Sequence, residues 1–441
     1  MLRKLTAVLF LCICQHKASG QQWDLGKTIG DFISSESDGK FKLSFETRGR
    51  YEQRLGNAFG KDPDLETGLI RNRVGLTYKP ASWIKISGMM QDSRAPWYGN
   101  NAPSSVRDEA QLHEAYIELF GDTKRGWTFS AGRQQLNLGD ARVIGTPQWG
   151  NLGRTYDFAR TGFKLPKAKM EFIFVSPVKI RLDDFNKPVL GERAWGTYNV
   201  FPNLIWGIST DAYILRHEQN ATAGFVGGSR ILGTNKLGVT SYGLRPTLPI
   251  PWGLKWTNEM ILQTGKVGLA THRAAAWAST ITRRWTIVKR TFDQSVEYKF
   301  ASGTHNPKDL TRSATYDQVF AANHDKFGHA DLFGWRNLHH ARTLSTFGLT
   351  KAFSMNFMYN NYLLASKLDG LYNSSGKVIS RSANGQAGRH VGQETDFFVT
   401  YKFKNLQTGG GYGQFYKGEF VKATTPGVNS RYLYLFHTYS F

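Results

Sequence analysis

Residues 130–164 read SAGRQQLNLGDARVIGTPQWGNLGRTYDFARTGFK, which sets Arg133, Arg142, Arg154, Arg160 and Lys164 against only Asp140 and Asp157. A second basic group lies upstream, where Arg48, Arg50, Arg71 and Arg73 recur in FKLSFETRGRYEQR and GLIRNRVGLTYKP. Arginine at such spacing suits anion recognition: its planar fork pairs bidentately with carboxylate and its charge survives burial. Glu46, Glu114, Glu118, Asp140 and Asp157 are placed to hold these guanidiniums and soften their field. That balance lets a bound anion leave as well as enter its site.

Covalent or metal chemistry finds no comparable set of residues. The chain has no H-E-x-x-H and no G-x-S-x-G, and GGGYG at 409–413 lacks the Gly-Lys-Ser/Thr ending of a phosphate loop. His339 and His340 are adjacent, so on a strand they face opposite sides and make a poor metal pair. No enzymatic activity, metal or cofactor is expected.

The elements that must position the arginines begin with a leader. Arg3 and Lys4 precede the apolar run Leu5 to Cys14, and Ala18-Ser19-Gly20 offers a cleavage site, so residues 1–20 read as a secretory signal peptide. Residues 21–40 are expected to form an N-terminal periplasmic segment, and residues 41–441 a single domain. Cys12 and Cys14 both lie in the leader, which leaves no disulfide framework. Losing Arg3, Lys4 and Lys17 with the leader lowers the formal net charge from +22 to +19. A chain this basic seeks polyanions. Outside the cytosol those are lipopolysaccharide, acidic polysaccharide or small anions, not nucleic acid.

Beyond the leader no apolar run approaches the roughly 20 residues of a membrane helix, and mean hydropathy is −0.40. The chain alternates instead. Ile70, Val74, Leu76 and Tyr78 oppose Arg71, Arg73, Thr77 and Lys79, and Phe397, Val399, Tyr401 and Phe403 oppose Asp396, Thr400 and Lys402. Such strands recur between short turns and long polar loops, and RYLYLFHTYSF brings aromatics to a final Phe441. A soluble sandwich or propeller also alternates, but the aromatic load and the scarcity of proline favour an all-β, transmembrane antiparallel β-barrel. At about two dozen residues per strand with its connection, the length suits eighteen strands, with sixteen as the alternative.

The block GRQQLNLGDARVIGTPQWGNLGRTYDFAR resembles a signature of the alginate-export family of outer-membrane barrels, and HDKFGHADLFGWRN and HVGQETDFFVTYKF…GGGYGQFYKGEFV resemble later blocks of it. The resemblance implies an eighteen-stranded barrel in the bacterial outer membrane that passes an anionic uronate polysaccharide through an arginine-lined lumen. Arg48, Arg50, Arg71 and Arg73 fall on lumen parity, and Arg133, Arg142, Arg154 and Arg160 belong to the signature block. Arg133 shares parity with Trp127, Phe129 and Ala131, so either a bulge near Gly132 turns it inward or it sits at the rim; the resemblance implies the lumen. Expected partners are an anionic polysaccharide or oligosaccharide, outer-membrane lipid and lipopolysaccharide, and periplasmic export proteins, around a monomer. A general or small-anion porin and a non-conducting polysaccharide-binding barrel are the alternatives.

Overall fold

The computed structural model describes residues 25–121, 126–220 and 236–441, so the expected signal peptide, residues 1–20, lies outside the described residues. A helix, α1 (Leu25–Glu36), precedes a closed antiparallel barrel of eighteen strands. In chain order the first nine are β1 (Phe41–Leu55), β2 (Leu65–Ala81), β3 (Ile84–Arg94), β4 (Asp108–Phe120), β5 (Trp127–Gln134), β6 (Tyr156–Leu165), β7 (Ala168–Lys179), β8 (Glu192–Ile205) and β9 (Ile208–Gln219). The rest are β10 (Leu237–Ile250), β11 (Leu254–Val267), β12 (Ala270–Ile287), β13 (Arg290–Ala301), β14 (Leu338–Gly348), β15 (Phe353–Leu364), β16 (His390–Phe403), β17 (Leu406–Lys417) and β18 (Ser430–Ser440).

Each strand pairs with its chain neighbour, and β1 pairs with β18 from Glu46↔Ser440 to Leu55↔Arg431 to close the sheet. Phe45 and Phe441 extend that seam, exchanging two main-chain hydrogen bonds of 3.1 Å. With no edge left, every strand can satisfy its backbone inside a bilayer. The side chains then sort by parity. Ile70, Val74 and Leu76 are exposed on the outer face of β2, while Arg71 and Arg73 are buried on the inner face.

The two ends differ. At one end the connections are tight: Trp206-Gly207 joins β8 to β9, with φ of 50° and 80°, the left-handed pair a two-residue hairpin needs. At the other end run long connections, including residues 135–155 between β5 and β6 and 302–337 between β13 and β14. These two do not stand out from the rim. Leu136, Ile144, Phe320, Phe327, Phe333 and Trp335 are buried with inward-facing wall residues Tyr156, Tyr213 and Tyr362 in one apolar cluster. The main hydrophobic core of this barrel therefore lies inside it, built by loops that fold back into the lumen.

Candidate functional site

The inward loop 135–155 docks on the wall made by β1, β2 and β3. Arg48 donates to the carbonyls of Gln148 (2.9 Å) and Gly150 (2.8 Å), and Arg50 to that of Trp149. Arg71 shares the Gln148 and Gly150 carbonyls at 3.1 Å each. Arg73 reaches the Leu152 carbonyl at 3.2 Å, and Ser93 donates to that of Asn151 at 3.1 Å. Five successive carbonyls, Gln148 to Leu152, thus each accept from the wall. An irregular segment has no ladder of its own to satisfy its carbonyls, and the arginine fork supplies several donors from one side chain.

The electrostatic result follows from the kind of partner. A carbonyl is neutral, so it fixes a guanidinium without cancelling its charge. Arg48 and Arg71 face each other across β1 and β2, a like-charge pair that is unfavourable by itself and is bridged here by shared carbonyls. The carboxylates in contact are Glu46, which accepts from Arg71 at 2.8 Å, and Glu52, 2.8 Å from Arg50. Four arginines against two carboxylates leave this belt positive.

The second inward loop, 302–337, packs against the first inside the barrel. The two loops pair directly, with Gly145 N–H donating to Phe320 O (3.0 Å) and Phe320 N–H to Val143 O (2.9 Å). Arg154 sits at this junction and donates to Phe320 O at 2.7 Å and Ala321 O at 3.2 Å. Arg142 crosses to the opposite wall, where it contacts Glu297 of β13, Glu259 of β11 at 3.6 Å and its own neighbour Asp140 at 2.9 Å. Burial alone would lower the Arg142 pKa, but Glu297, Asp140 and Glu259 together hold it above its ordinary value. Asp317 anchors the other loop by accepting from His217 at 2.6 Å and Arg336 at 2.8 Å. Burial would raise its carboxyl, yet those two partners hold it below the usual carboxylate range.

On the wall below these loops the partners change. Lys85 of β3 pairs with Glu118 of β4; Arg160 of β6 lies 3.6 Å from both Glu118 and Glu171 of β7; Lys169 is 3.0 Å from Glu171. This is a ladder of alternating charge around the inner face. At 3.6 Å Arg160 is ion-paired without a hydrogen bond. Of the remaining acidic candidates, Glu114 accepts the Gln135 main-chain N–H at 3.2 Å.

Arg133 requires a correction: Asp157 holds it, but not in the lumen. They form a bidentate pair (2.6 and 3.1 Å) on the outer face of β5 and β6, under residues 180–191, and Arg133 also donates to Asn186 O at 2.9 Å. Their register is regular through Gly132, so parity prevails over the lumen position that the resemblance implied. Glu259 and Glu297, which hold Arg142, and Asp317, which anchors the second loop, lie outside the signature block and have no spacing that marks them in the sequence.

The family described as "Alginate export" matches residues 40–434. The chain belongs to the alginate-export family. Among solved structures, OccD3 (OpdP) of Pseudomonas aeruginosa is 12% identical over 91% of each chain with a TM-score of 0.59. OccK3 (OpdO) of the same organism is 11% identical over 91% of this chain and 95% of its own, with a TM-score of 0.61. OccAB4 of Acinetobacter baumannii is 12% identical over 91% and 98%, with a TM-score of 0.59. At such identity these likenesses speak for the fold. No curated protein sequence matches the chain. The family and the barrel make this an outer-membrane channel.

Proposed function

We propose that this alginate-export channel passes an anionic, alginate-like polysaccharide, drawn through the lumen by arginines whose charge is retained. The observation that carries the reading is the belt of Arg48, Arg50, Arg71 and Arg73 fixed by neutral carbonyls. A polyanion in a narrow lumen loses hydration and needs fixed positive charge nearby. Guanidiniums already spent on carbonyls supply the field without offering open forks that would trap a carboxylate. The ladder of Lys85, Arg160 and Lys169 against Glu118 and Glu171 supplies exchangeable contacts beside it.

A small-anion channel is the second reading, favoured by the degree to which two cross-linked loops fill the lumen. Single-channel recording of the refolded protein in a planar bilayer under a salt gradient, followed by polymannuronate, separates the two. Anion selectivity with block by the polymer supports the polysaccharide path; anion selectivity indifferent to it supports the small-anion reading.

A further inference from the structure

The segment 180–191 between β7 and β8 lies over the outer face of the wall near the long-loop rim. Ser176 donates to Glu192 O at 2.8 Å, Val189 N–H to Pro177 O at 2.8 Å, and Asn186 to the Asp108 carboxylate at 2.9 Å, so the strap is held at both ends and across to β4. Beneath it is a cavity of about 750 Å³, lined by Leu112, Ala115, Ala159 and Phe174 of the wall and by Pro188 and Leu190 of the strap. Arg133 and Asp157 form its polar part.

Three observations point to one class of occupant. The cavity opens on the lipid-facing side, since the apolar residues of β7 on this parity, Met170, Phe172 and Phe174, are exposed. On the strap Phe185 and Leu190 line the mouth of this cavity and stay 65% and 79% exposed, at the end that carries the long loops, which in outer-membrane barrels faces the outside. Arg133 spends three of its five N–H donors on Asp157 and Asn186. The remaining two can meet an ester or amide oxygen at the head of an acyl chain.

We propose that this cavity seats an acyl chain of the outer-leaflet glycolipid, lipopolysaccharide, with its carbonyl oxygen on Arg133 and its methylenes against Leu112, Ala159, Phe174 and Leu190. The site is on the outside of the wall, so it does not depend on the polysaccharide reading. A charged pair that would be costly facing bare lipid has a polar ligand group and a covering strap instead.

Native mass spectrometry of the refolded full chain in micelles, with hexa-acyl lipid A, its deacylated phosphorylated backbone and phosphatidylethanolamine as probes, tests this. Lipid A retention by the wild type should fall about tenfold or more in Ala159→Phe, which fills the cavity, equivalent to ~1.4 kcal/mol. Leu190→Asp, on an exposed strap position, should lower it too while leaving the heat-modified gel shift of the barrel intact. Channel conductance should be unchanged in both. Equal lipid A retention in either folded variant overturns the proposal. So does equal competition by phosphatidylethanolamine, which would mean bulk lipid only, or by the deacylated backbone, which would mean phosphate recognition elsewhere.

Discussion

Two belts of basic residues line the inner wall, and they use their charge differently. In the upper belt Arg48, Arg71 and Arg73 bond main-chain carbonyls at 2.8 to 3.2 Å, and their side chains are almost fully buried. In the lower belt Arg160 stands 3.6 Å from two carboxylates with a more accessible side chain. A carbonyl holds geometry and leaves charge in place, whereas a carboxylate cancels charge and can be exchanged for another anion. One residue type thus serves as a staple in one belt and as a contact in the other.

The sharpest way to break this contrast is to remove the arginine that ties the inward loop to the opposite wall through carboxylates. Arg142→Met takes the ion-pair partner from the buried carboxylate of Glu259, while Glu297 keeps Lys299 and Arg342; losing one partner of a buried pair costs about 3–5 kcal/mol. Urea unfolding followed by tryptophan fluorescence should show that loss. Arg71→Ala should cost less, about 2 kcal/mol from charge-assisted hydrogen bonds, but should loosen Gln148 and Gly150, which Arg48 then holds alone, and raise single-channel conductance. Unchanged conductance would mean that these carbonyls are held without it.

Acidification sharpens the comparison from the second loop. His329 is buried against Phe398 with ring centroids 4.1 Å apart, and burial, with His324 beside it, pushes its pKa down to about 4. Between pH 6.5 and about 4 the unfolded or undocked loop binds the extra proton, so docking weakens as pH falls through this window, by up to ~1.4 kcal/mol per pH unit. Proteolysis within 302–337 should rise accordingly, and its pH dependence should be weaker in His329→Gln. The smallest effect belongs to the lower belt. Arg160→Gln should change stability by at most about 1 kcal/mol yet shift the reversal potential toward cations.

Parity made the wall legible. Alternation alone placed Arg48, Arg50, Arg71 and Arg73 inward, and it also placed Arg133 outward with Trp127 and Phe129, where the structure has it. What alternation could not tell is where a connection goes once it leaves the strand. PQWGNLG carries no charge and no period, and it is fixed by donors far away in the chain, at Arg48, Arg50, Arg71, Arg73 and Ser93. The sequence suggested that Glu and Asp hold the arginines. Glu46 does so for Arg71, Asp157 for Arg133, Asp140 for Arg142 and Glu118 for Arg160, but Arg48 and Arg154 are held by main-chain carbonyls, which no residue type announces.

Trp149 touches both sides of the seam. Its indole N–H donates to the Tyr432 hydroxyl of β18 at 3.0 Å, Arg50 of β1 lies over its ring at 4.4 Å, and Tyr432 in turn donates to Glu52 of β1 at 2.8 Å. Neighbouring strands can zip as they are made, but this cradle exists only after the first and last strands have met. Seating of the Trp149 indole on Tyr432 must therefore follow closure, which makes Trp149 a late reporter of assembly. In time-resolved folding its fluorescence should settle after strand formation is complete, and a barrel with a misregistered seam should never acquire that signal.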